Sequence, residues 1–235
     1  MFYSSCLNIC STFHFGTDEA FIILIFAEKL NQTFMRKLLF VIMCVLALLI
    51  GAYPLLYAFV EHKHTFLGSK SPEILHNIIW KTAFFAHIIF GGLALFIGWR
   101  QFGSSFRNKY IKIHRKLGSI YVIAVVISSV SAVYMGFYAN GGVISAIGFI
   151  SLGCTWLITT LIAVGQIRKG KVAMHQQFMI YSYACTFAAV TLRLWYPLLT
   201  NITGDPENSY IAVAWLCWVP NLLIAYLISK RIVVA

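Results

Sequence analysis

Six apolar runs, each long enough to cross a bilayer as a helix, decide what this chain can fold into. They lie at 38 to 60, 78 to 99, 117 to 138, 143 to 165, 178 to 200 and 210 to 228, and roughly 20 helical residues suffice for about 30 Å of hydrocarbon. Hydrocarbon offers a backbone no water, so such a run is stable as a helix whose own N–H and C=O groups pair. The expected fold is therefore all-α, a polytopic membrane protein built as an antiparallel bundle of six transmembrane helices. The uncharged Ala139-Asn140-Gly141-Gly142 linker reads as a tight turn between antiparallel neighbours. With 60% hydrophobic and 11% charged residues, the composition excludes an ordinary soluble domain.

Eighteen Lys plus Arg against seven Asp plus Glu give a net charge of +11. In a soluble chain that balance suggests nucleic acid. Here the basic residues sit between apolar runs, which points instead to the lipid bilayer and to anionic lipids at its cytosolic face. Fourteen of them fall on one side of the six-span plan, in the 29 to 37, 100 to 116, 168 to 171 and 230 to 231 segments, whereas Lys63 and Lys70 fall on the other. The expectation is a multi-pass protein of the cell membrane with both termini cytoplasmic. Residues 1–34 fit this plan poorly: the apolar stretch Phe21 to Ala27 is too short to span. Met35-Arg36-Lys37 reads as the natural start of a six-span domain at 35–235, with its core at 78–200. Cys44, Cys154, Cys185 and Cys217 each stand alone in a separate apolar run, as small hydrophobes do.

No Asp or Glu lies in any of the six runs. Proton and cation transporters commonly hold a carboxylate there, so that class loses ground. What remains ionisable at depth is His87 and Arg193, with His114 and His175 at the inner boundary. At 100° per residue His87 shares a face with Gly91, Ala94 and Gly98. His114 shares one with Gly118, Tyr121, Val125, Ser128 and Ala132, and His175 with Ser182, Thr186, Ala189 and Arg193. The bundle interior is the cheapest destination for all three stripes.

His114 and His175 each stand three residues before the apolar part of a helix that starts on the cytosolic side, so their depths match. Two neutral imidazoles on different helices are the metal ligands a flat b-type haem requires, with Gly118 to admit the ring and Arg115, Lys116 and Lys171 for its propionates. The competing reading is that His-Arg at a helix start meets phosphate headgroups. Counted from the outer ends, His87 and Arg193 lie nearly level. Arg193 either snorkels outward to Asp205 or Glu207, or contacts a bound group such as a propionate or a quinone carbonyl.

The runs His114-Arg115-Lys116-Leu117-Gly118-Ser119-Ile120-Tyr121, Trp156-Leu157-Ile158-Thr159-Thr160, Met174-His175-Gln176-Gln177-Phe178-Met179 and Phe187-Ala188-Ala189-Val190-Thr191-Leu192-Arg193 carry a resemblance. Together, in this order, they resemble a family of predicted bacterial membrane proteins catalogued as domain of unknown function 2306, over roughly residues 78 to 200. His175-Gln176 stands where that family usually shows His-Arg. The resemblance implies a membrane module and no particular activity. A more distant similarity is to dihaem cytochrome b proteins of the transmembrane ascorbate-ferrireductase type. The fourth run lacks histidine, so one bis-His site fits, not two.

The residues thus point to a membrane redox or cofactor-binding protein holding one b-type haem or a quinone among the second, third and fifth spans. The alternative is a non-enzymatic module, a small-solute permease or partner subunit, in which the same stripes only pack helices. No G-x-S-x-G or H-E-x-x-H motif supports a hydrolase. The topology makes a direct prediction. Single cysteine reporters in the 100 to 116 and 201 to 209 loops label from opposite sides of the membrane, and labelling of both from outside would refute the plan.

Overall fold

The structure is a computed structural model and describes residues 34–35, 37–61 and 65–233. The expectations for the first 33 residues lie outside the described residues. Among those described, every regular element is helical. The chain divides into two units, residues 1–45 and 46–235. In the first, residues 37–45 are helical. The second contains the rest of the span Lys37–Tyr57 (α1), which tightens into 3-10 geometry over Tyr53–Ala58 around Pro54. Next come α2 (Ile78–Gly98), α3 (Ile111–Gly136), α4 (Gly142–Arg168), α5 (Val172–Thr186), α6 (Ala188–Thr203), α7 (Pro206–Leu216) and α8 (Val219–Val233).

Local chemistry sets the boundaries. Asn77 caps α2, its side chain accepting from Ile79 N and Trp80 N. The turn between α3 and α4 needs left-handed backbone at two successive residues, Gly141 at φ +77° and Gly142 at φ +73°, where glycine alone carries no steric cost. Asp205 caps α7 through Glu207 N and Asn208 N.

Neighbours in sequence are neighbours in space: α2 packs on α3, α3 on α4, α4 on α5. Small residues set the closest approaches. A Cβ on Gly92 would stand 2.7 Å from Gly51 O, and one on Gly91 3.0 Å from Ser128 Oγ. Packing between backbones this close is what helices in lipid use in place of a hydrophobic drive.

Among the described residues, five helices are long and apolar enough to cross a membrane: Lys37–Tyr57, Ile78–Phe102, Ile111–Gly136, Gly142–Arg168 and Pro206–Lys230. The run expected as the fifth span is instead two helices of 15 and 16 residues, α5 and α6, interrupted at Phe187. The last run is interrupted too, at Cys217 and Trp218. There Pro220 has no N–H, so the carbonyl of Leu216 receives no helical donor.

The two interruptions lie against each other. Asn221 Nδ2 donates to Ala184 O at 3.3 Å, to Thr191 Oγ1 at 3.1 Å and to Cys217 O at 2.9 Å. The Thr191 hydroxyl donates to Cys217 O as well. Around this knot Ala188, Val213, Cys217 and Trp218 form a buried apolar cluster. On one side of the knot α5 pairs with α8, and on the other α6 pairs with α7. The last span, expected at the periphery, is thus tied to the fifth run through backbone carbonyls. Asn221→Leu keeps the volume and strands those acceptors. It should destabilise the detergent-solubilised protein by about 1–3 kcal/mol, measured as the denaturation midpoint, and an unchanged midpoint would show that the carbonyls are satisfied without the amide.

Candidate functional site

The histidines and the arginine singled out from the sequence fall into two groups at different levels of α3, one at its start and one around Ser128. The inner group begins with His114 and His175, each the fourth residue of its helix, α3 and α5. His175 Nδ1 lies 2.9 Å from Ala163 O on α4. A carbonyl only accepts, so Nδ1 carries a proton, which in the neutral ring leaves Nε2 as the acceptor. The charges of Arg107, His175 and Arg115 all act on His114. Its Nδ1 is buried without a hydrogen-bond partner. Arg115 itself is exposed.

Gln101, which the sequence reading missed, belongs with this group. It is 8% exposed, and neither its amide nitrogen nor its amide oxygen has a partner. A Cβ on Gly118 would stand 3.9 Å from that oxygen. An amide buried with both halves unsatisfied costs several kcal/mol in total, about 1–3 for each group, unless something outside the protein bonds it.

Above this group lies a buried chain of hydroxyls. Tyr121 OH bonds Ser182 Oγ and Thr186 Oγ1, each at 2.8 Å, and Thr160 Oγ1 bonds Ser182 Oγ at 2.7 Å. Tyr121, Ser182 and Thr186 stand on the stripes read from the sequence. Thr160, from α4, closes the Trp156-Leu157-Ile158-Thr159-Thr160 run that carries the family resemblance, although no histidine marks a polar face on α4.

The outer group joins His87 on α2, Ser128 on α3, Arg193 on α6 and Tyr53 at the end of α1. Ser128 Oγ donates to His87 O at 2.9 Å. With its proton committed there, Ser128 Oγ accepts from His87 Nδ1 at 3.0 Å, and Ser128 O accepts from the same nitrogen at 3.1 Å. His87 is thereby held in the Nδ1–H tautomer with Nε2 as an acceptor. Arg193 Nη1 donates to Ala189 O at 2.9 Å, and its guanidinium lies over the Tyr53 ring, 4.2 Å from the centroid. The charge of Arg193 acts on His87.

Arg193 does not snorkel outward. It folds back one turn toward the middle of the bundle, and the Asp205 carboxylate is occupied with Glu207 N, Asn208 N and Asn208 Nδ2. Among the described residues no carboxylate pairs with Arg193. Pro197, four residues on, lacks an N–H, so the Arg193 carbonyl receives no helical donor either.

A cavity of about 260 Å³ lies elsewhere, at the outer rim, lined by Asn140, Gly141, Tyr196, Pro206, Glu207 and Tyr210. It includes none of the residues expected from the sequence. Beside it, Lys70 clasps the end of α3. Although on an outer loop, it is 8% exposed, and its Nζ donates to Tyr138 O and to Asn140 Oδ1. Burial pushes its ammonium down to about 8. Between that value and the ordinary one near 10.5 the unfolded chain holds a proton the folded chain lacks, so this lysine makes stability rise with pH. Wild type should gain denaturation midpoint relative to Lys70→Met as pH goes from 8 to 10.5, and a parallel course of the two curves would contradict it.

A family model described as Predicted membrane protein (DUF2306) matches residues 84–229, a range that takes in His87, His114, Arg115, Gly118, His175, Arg193 and Asn221. No curated protein and no solved structure matches the chain. The similarity to dihaem cytochromes finds no support in these comparisons.

Proposed function

Because the chain belongs to this family of predicted membrane proteins, we propose that it is a six-span bundle with both termini in the cytosol, serving as a membrane redox module. In this reading α5 and α6 together make the crossing that neither makes alone. At 1.5 Å per residue their 15 and 16 residues reach about 46 Å, more than the roughly 30 Å of hydrocarbon.

The cofactor we propose at the inner end is one b-type haem. The observation that carries it is that His114 and His175 hold the same position in their helices and lie near enough for one ring to act on the other, His175 having its Nδ1 proton committed to Ala163 O. A second-shell bond of this kind fixes the tautomer and ring orientation of a ligating histidine. The surroundings fit the group chemically: Gly118 leaves room beside Gln101, whose amide is free to bond it, and Arg107 and Arg115 supply charge for propionates. When bound, haem supplies reversible one-electron transfer. The protein's part is to hold two neutral imidazoles, to exclude water through the Tyr121, Ser182, Thr186 and Thr160 hydroxyl layer, and to balance anionic charge at the cytosolic edge.

The rival reading, a permease or partner subunit with structural histidines, predicts no chromophore. A reduced-minus-oxidised optical spectrum of detergent-purified protein, expressed with haem precursor, separates them. The expected result is a low-spin b-type signal in wild type, abolished by His114→Ala and by His175→Ala, with the denaturation midpoint of each variant checked alongside. A signal that survives both substitutions, or well-folded wild type without haem, would overturn this reading.

A further inference from the structure

The outer group has the makings of a second site. At 1.5 Å per residue, His87 and Arg193 lie about 14 and 15 Å from the outer ends of α2 and α6. That is near the middle of the hydrocarbon. A guanidinium there is costly to leave without an accepting partner and keeps its proton. Within the protein it donates to one carbonyl, lies over the Tyr53 ring and is within reach of the Tyr53 hydroxyl, which still leaves some of its five donors over. Beside it His87 offers Nε2 as an acceptor, for which no partner exists among the described residues.

The ligand follows from depth and access. Tyr53, His87 and Arg193 are each only partly buried, and their position along the helices sets them at the level of the lipid tails. A molecule that reaches them comes from the hydrocarbon and must be lipophilic. A phospholipid headgroup is anchored some 15 Å away at the interface, and a water-soluble solute has no route through the tails. The molecule must also present oxygen that accepts from a guanidinium and, in a reduced form, donates to an imidazole. A carbonyl that interconverts with a hydroxyl meets both demands.

We propose that Arg193 and His87 bind the head of a lipophilic quinone or quinol, entering sideways from the bilayer. Arg193 donates to a ring oxygen, His87 Nε2 accepts from the hydroxyl form, and Tyr53 holds the guanidinium in place. This site stands apart from the proposed haem site and does not depend on it.

Full-length protein in phosphatidylcholine nanodiscs, titrated with decylubiquinone and followed by intrinsic tryptophan fluorescence, tests the proposal. Wild type should show saturable quenching, and a decyl trimethoxytoluene without the carbonyls should not. Arg193→Lys keeps the charge but loses the planar fork, and should weaken binding by about 10-fold or more, the range for one charge-assisted hydrogen bond. His87→Ala should weaken it less for the quinone than for the quinol. His114→Ala should leave the affinity unchanged, which separates this site from the inner one. The proposal is overturned if wild type binds both probes alike, if it binds neither, or if Arg193→Lys and His87→Ala, both folded by their denaturation midpoints, bind as wild type does. Should Arg193→Lys fail to fold, the decylubiquinol affinity of His87→Ala decides, and a value unchanged from wild type overturns the proposal.

Discussion

Every backbone polar group in hydrocarbon must find its partner inside the protein, and in this fold that requirement is met in an unusual place. Two apolar runs break their helical ladders, one at Phe187 and one at Cys217 and Trp218. One asparagine and one threonine span the gap: the Asn221 amide and the Thr191 hydroxyl reach carbonyls on both sides. Broken helices at membrane depth are tolerated where neighbouring side chains take over the freed groups. The interruptions also sort the molecule into two levels. The α5 and α8 pair carries His175 on one side of the knot, and the α6 and α7 pair carries Arg193 on the other.

Much of this was legible from helical periodicity alone. Tyr121, Val125 and Ser128 lie buried on the face assigned to α3, and Ser182 and Thr186 on the face assigned to the fifth run. The His87 stripe opens where expected: Gly91 gives way to Ser128 Oγ, and Gly98 to the rings of Tyr183 and Tyr121. Periodicity works here because a polar or small face in lipid has few destinations other than another helix.

What the sequence concealed has physical reasons. The break at Phe187 is flanked by Thr186 and Ala188, with no glycine or proline to announce it; it depends on an amide more than 30 residues away. Pro220 did announce the other break, but a hydropathy reading averages over a single proline in an apolar run. Gln101 directly follows Trp99 and Arg100 at the end of the second run, where an amide reads as the first residue of a loop. Its burial arises from the 3-10 turn Trp99–Phe102 that folds it back against α3. Lys70 looked like a solvated outer charge, yet two oxygens at the end of α3 hold it inside.

The helix α3 explains why the molecule has two polar groups rather than one. From His114 to Ser128 is 14 residues, about 21 Å along the axis, with Tyr121 halfway at about 10 Å. His114 faces the inner group, Tyr121 bonds the fifth run, and Ser128 fixes the ring of His87. The hydroxyls at Tyr121 bond one another in the middle of the stripe, while Gln101, His114 Nδ1 and Trp156 Nε1 are buried without a partner. Tyr121 thus ties α3 to the fifth run at mid-height, and this fixed middle holds His114 and Ser128 at set positions along one helical axis.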